Sequence, residues 1–104
     1  MALETNLVGN TATTVYTSSG NSAITFASFT NYSGSSATLT VHLVPSGDSA
    51  GNDNIVIKDY TVNAADTHQL YAGSEKLLLA NGDTLVATGS AATTFNAVVS
   101  YTSI

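Results

Sequence analysis

The chain has 104 residues, 2 basic against 7 acidic side chains, no cysteine and no tryptophan. That length fits one domain, and charged residues make up 9% of it, against about 25% in an ordinary soluble protein. No apolar run approaches the ~20 residues that span a bilayer, no thiolate zinc site or disulfide is available, and a net charge of −5 without arginine argues against nucleic acid as a partner.

Thr, Ser and Asn, at 16, 13 and 9 residues, stand where charges would be. Residues 1–10 open the chain without a basic or apolar leader pattern, so no signal peptide is expected, and they are read as an N-terminal docking arm. Leu3, Leu7 and Val8 are its apolar residues, and Ala2–Val8 suits pairing with the edge of a partner sheet.

Period-two segments follow at short intervals. Thr13–Thr17 and residues 23–31 are the first predicted strands, separated by the turn cluster Ser18-Ser19-Gly20-Asn21. Residues 36–44 form the cleanest: Ala37, Leu39, Val41 and Leu43 point one way, Thr38, Thr40 and His42 the other. His42 is therefore expected on a wet face. Asn31-Tyr32-Ser33 matches a glycosylation sequon, read as chance.

Residues 45–54 form a loop rich in Gly, Asn and Asp. Asp48, Asn52, Asp53 and Asn54 offer calcium-type oxygens, but their spacing fits no EF-hand and turn chemistry explains the composition. Ile55–Val62 is the next predicted strand, with Tyr60 expected to face a partner. Residues 64–76 are the only stretch where helix competes, and Thr67, His68, Tyr71 and Gly73 argue for a strand over 67–71 instead. Residues 76–79 and 84–88 flank Asn81-Gly82, which predicts a tight type I′ hairpin between them. Residues 95–101 close the pattern. Phe95, Ala97, Val99 and Tyr101 alternate there with polar positions that Val98 interrupts, so part of that polar face is expected to be covered.

Seven or eight short strands with one apolar face each predict an all-β, antiparallel two-sheet sandwich spanning residues 1–104, of immunoglobulin-like or jelly-roll topology. Phe26 and Phe95 are expected in its core. Asp66, His68 and Ser74 would have to converge for hydrolytic chemistry, and in a Ser-rich chain their coincidence is cheap. No catalytic residue, metal site or cofactor is assigned.

Open sheet edges are normally guarded by lysine, proline or inward charge. This chain has Lys58, Lys76 and Pro45 for the task, and its outward faces are Thr and Ser. Interface cores are similarly depleted of charge, so much of the surface is expected to be covered in an assembly of many copies, including a homo-oligomer such as a trimer.

Three runs carry a resemblance. Residues 14–26 (TVYTSSGNSAITF), 38–48 (TLTVHLVPSGD) and 73–85 (GSEKLLLANGDTL), with the closing strand 95–101, are similar to small virion proteins of bacteriophages, especially marine and cyanobacterial phages. The resemblance implies a non-enzymatic virion component with a β-sandwich fold. Its expected role is a decoration or cement protein binding the major capsid protein, with a neck, tail or fibre component as the alternative. A carbohydrate-binding module using exposed aromatics and the 48–54 loop is the further alternative.

Overall fold

The structure is a computed structural model and describes residues 2–70, 77–92 and 94–104, with Ala2 described by its backbone alone. Nine strands lie among the described residues: β1 (Ala2–Val8), β2 (Thr13–Thr17), β3 (Ser22–Asn31), β4 (Ala37–Val44), β5 (Ile55–Val62), β6 (Thr67–Leu70), β7 (Leu77–Leu79), β8 (Thr84–Gly89) and β9 (Phe95–Ser103). Residues 64–70 form a turn and β6 rather than helix.

The pairing is nested. β4 pairs with β5, β3 with β6, β2 with β8 and β1 with β9, all antiparallel. Contacts of β9 with β3 and of β8 with β4 assemble these pairs into two sheets, β1-β9-β3-β6 and β2-β8-β4-β5. β7 joins the first sheet through residues 22–24 of β3. A ribbon folded back at the β4–β5 loop and wrapped into two layers is a jelly roll. An immunoglobulin-like sandwich would keep its first two strands in one sheet, and here they lie in different ones.

Alternation builds the core. Leu39, Val41, Phe29, Phe95, Val99 and Leu85 are fully buried between the sheets. Each such side chain contributes about 1.5–3 kcal/mol by leaving water. Bulges adjust the phase. A register shift between Thr14 and Tyr16 lets the consecutive Val15 and Tyr16 both face inward. A second, between Ile24 and Phe26, switches β3 so that Ile24, Ala27 and Phe29 are buried while Phe26 turns to the outer face, half-buried. Phe29 therefore takes the core position expected of Phe26. Gly89 lies flat against the Phe95 ring, where an added Cβ would stand 3.0 Å from Cδ2.

The Asn81-Gly82 turn departs from the expected hairpin. Asp83 N–H donates to Ala80 C=O at 3.1 Å, but only Gly82, at φ +89°, has a left-handed backbone, whereas a type I′ turn needs both central residues there. The flanking strands do not pair with each other. β7 belongs to the five-stranded sheet and β8 to the four-stranded one, so the turn carries the chain between layers.

Two aromatic pairs bridge the layers. Tyr16 on β2 and Tyr101 on β9 meet with ring centroids 4.5 Å apart, and Tyr16 Oη donates to Ser22 Oγ at 2.8 Å. At the opposite edge Tyr60 on β5 packs on His68 of β6, 4.4 Å between centroids.

Candidate docking face

Residues opposed across paired strands project from the same side of a sheet. The register of the five-stranded sheet therefore sets its outer face as transverse rows. Leu3 of β1 stands beside Ser100 of β9 and Phe26 of β3. The next row is Thr5, Val98, Ser28 and Gln69, and the next Leu7, Asn96, Thr30 and Thr67. Thr102, Ala23 and Leu78 form a further row toward β7. The described charged side chains, Glu4, Asp48, Asp53, Lys58, Asp59, Asp66 and Asp83, all lie off these rows.

Among the described residues this face is apolar as well as uncharged. Leu3, Leu7 and Leu78 are 67%, 69% and 68% exposed, and Phe26 and Val98 are half-buried between them. The hydroxyls beside them partly satisfy one another: Thr30 and Thr67 share a 2.9 Å hydrogen bond, and Thr25 Oγ1 donates to Ser100 Oγ at 3.2 Å. Such groups lose less on desolvation than ions would. Val98, the residue that interrupts the polar alternation of β9, sits in the middle of the face.

The expected docking residues separate. Leu3 and Leu7 stand on this face. Val8 does not: it is 1% exposed, opposite Phe95, and belongs to the core, because it follows Leu7 by one residue and so takes the inward phase. Residues 2–8 are a strand of the sheet rather than a free arm, with β1 at the sheet's edge. Tyr60 is half-exposed at 49% and lies on the other sheet, its ring engaged by His68.

The chemical candidates are occupied structurally. Burial pushes the His68 imidazole below its ordinary value, and the Thr67 hydroxyl is bonded to Thr30. Ser74 lies outside the described residues. His42 is half-buried rather than exposed, between Val86 and Ile55, and its Nδ1 is buried without a hydrogen-bond partner. In the 45–54 loop Asn54 is turned inward, its Oδ1 accepting from Gly51 N–H and its Nδ2 donating to Ser49 C=O, both at 3.0 Å. Among the described residues no three His, Cys, Asp or Glu side chains gather at metal-binding distance.

Asn31 of the sequon is wholly buried. Its Nδ2 donates to Ser35 C=O and Val62 C=O at 2.9 Å each, and its Oδ1 accepts from Ser33 N–H and Ser33 Oγ at 3.0 and 2.7 Å. An amide nitrogen so engaged is not presented for glycosylation in the folded protein. Its role as a polar tie inside the sandwich gave no sequence signal beyond an asparagine at a strand end.

No protein-family model, curated protein or solved structure matches the chain.

Proposed function

We propose that this protein is a structural component of a bacteriophage virion, bound in many copies to the outer capsid through the outer face of its five-stranded sheet. The observation that carries the reading is that face: uncharged among the described residues, Thr- and Ser-rich, with Leu3, Leu7 and Leu78 exposed. A face of this composition suits permanent cover by protein, since interface cores are depleted of charge. Two further points support it. Jelly rolls serve in virus shells, by analogy of fold, and three runs of the sequence resemble phage virion proteins.

The mechanism is burial. Covering each of these two-thirds-exposed leucines contributes about 1–2 kcal/mol, and a copy that binds only the assembled shell stabilises it by mass action. Immunogold labelling of the source particles with antibody to the recombinant protein tests the placement. Dense label over the head is expected. Label confined to the neck or tail moves the protein there, and absence from both label and virion mass spectrometry overturns the reading. Leu78→Asp is expected to abolish incorporation without touching β1, and full incorporation of that variant removes the face from the account.

A further inference from the structure

The four edges of the two sheets are not equally protected. β5 is bent by two register shifts against β4, carries Asp59 at φ +50° and displays the exposed charged pair Lys58–Asp59. β2 has five residues and a bulge. Among the described residues β6 and β7 have four and three residues. Short strands, bulges and charges are the devices that stop an edge from recruiting another chain.

β1 has only one of them, the charge of Glu4, which stands opposite the core residue Val99 in the inward phase. Its seven residues pair with β9 in unbroken register from Ala2–Tyr101 to Val8–Phe95. It contains no lysine, proline or bulge, and β9 is its only strand partner among the described residues. Alternate N–H and C=O groups along its free side therefore point in the plane of the sheet, with no strand of the described residues to meet them.

We propose that β1 pairs antiparallel with β1 of a second copy, about a two-fold axis at Thr5, so that the two five-stranded sheets become one continuous sheet. The sequence of the strand selects this occupant and this register. A two-fold axis perpendicular to the sheet pairs residues of the same phase, so that outward residues meet outward residues. Centring on Glu4 would set the two Glu4 carboxylates directly opposite each other, which is destabilising. Centring on Asn6 leaves Ala2 and Leu3 unpaired. Centring on Thr5 uses the whole strand, opposes Leu3 to Leu7 twice and sets Glu4 against Asn6, without like charges in register. The pairing rests on β1 alone and holds whatever covers the outer face. It also joins two such faces side by side, with four leucines across the axis.

The absence of cysteine makes the register testable by introduced thiols. Opposed residues have Cβ atoms about 4.5–5.5 Å apart, close to disulfide geometry. Thr5→Cys is expected to give a disulfide-linked dimer under mild oxidation. Leu3→Cys or Leu7→Cys alone is not, because like positions would lie about 13 Å apart along the strands. Mixing those two variants is expected to restore cross-linking, as the mixed dimer. All three sites lie on the outer face, and circular dichroism checks that each variant folds. The untagged wild-type protein is expected to show a concentration-dependent monomer–dimer equilibrium in analytical ultracentrifugation. A strict monomer overturns the proposal. So does a dimer in which Thr5→Cys fails to cross-link, or in which Leu3→Cys alone does so as readily. None of these measurements involves virions, so their failure is separate from failure of the capsid reading.

Discussion

Asn31 Nδ2 donates to the carbonyl of Val62 at 2.9 Å, tying the end of β3 in one sheet to the end of β5 in the other. With the bond to Ser35 and the two accepted from Ser33, all four hydrogen-bonding positions of a wholly buried amide are used. Asn31→Asp replaces two donors by acceptors facing carbonyls, and is expected to cost about 3 kcal/mol in denaturant unfolding at neutral pH. A loss below about 1 kcal/mol would show that the tie is dispensable.

His68, packed against the Tyr60 ring, gives the stability a pH dependence. Burial lowers the His68 pKa below its ordinary 6.5, so the fold favours the neutral ring. This contribution is complete above the unfolded-state value and is lost as pH falls through the lower folded-state value. Chemical denaturation at neutral pH and at about pH 5 is expected to show a larger drop for the wild type than for His68→Gln. Equal drops would remove His68 as a titrating contributor.

Ala65 has φ +67° in the turn between β5 and β6, where its N–H donates to Asn31 C=O. An L-residue pays about 1–2 kcal/mol for this backbone region, and glycine recovers it at the cost of extra freedom in the unfolded chain. Ala65→Gly is expected to stabilise by about 0.5 kcal/mol, raising the melting temperature by about 2–4 °C. A lowered melting temperature would contradict this account.

Gly82 combines φ +89° with a close approach: an added Cβ would stand 2.5 Å from Ser46 Oγ and 3.0 Å from Ser46 Cβ. Gly82→Ala is expected to destabilise by about 1–3 kcal/mol. In a Ser46→Gly background the steric part disappears and only the backbone part remains, so the cost should fall. An unchanged cost would place the whole effect in the backbone.

Much of the fold was legible because one signal, period-two alternation, dominates the chain. Thr13–Thr17 and Ile55–Val62 have the bounds that alternation predicts. What escaped it were events that alternation does not encode. The bulge near Thr25 exchanges the expected burial of Phe26 for that of Phe29. The Asn-Gly signal around Asn81 and Gly82 marks a turn correctly but does not say whether the flanking strands will pair, and here they part into different sheets. β1 looked like an arm because its partner lies at the far end of the chain, and local pattern carries no information about that distance. Of the docking face, Leu3 and Leu7 were visible as unexplained leucines. Leu78 was hidden in an apolar run, where only the register with Ala23 turns it outward.

The nested ladder also orders events during synthesis. β4 and β5 are joined by one loop and can close early, whereas β1 pairs with β9, the strand farthest from it in sequence. Ala2 meets Tyr101 only after the residues between them have been translated, roughly 5–20 s later at ordinary elongation rates. Through that interval the strand with the barest edge has neither of its sides covered. Nascent chains on one messenger are thus exposed to pairing with their neighbours before β1 can pair with β9, so slowing initiation is expected to raise the soluble yield.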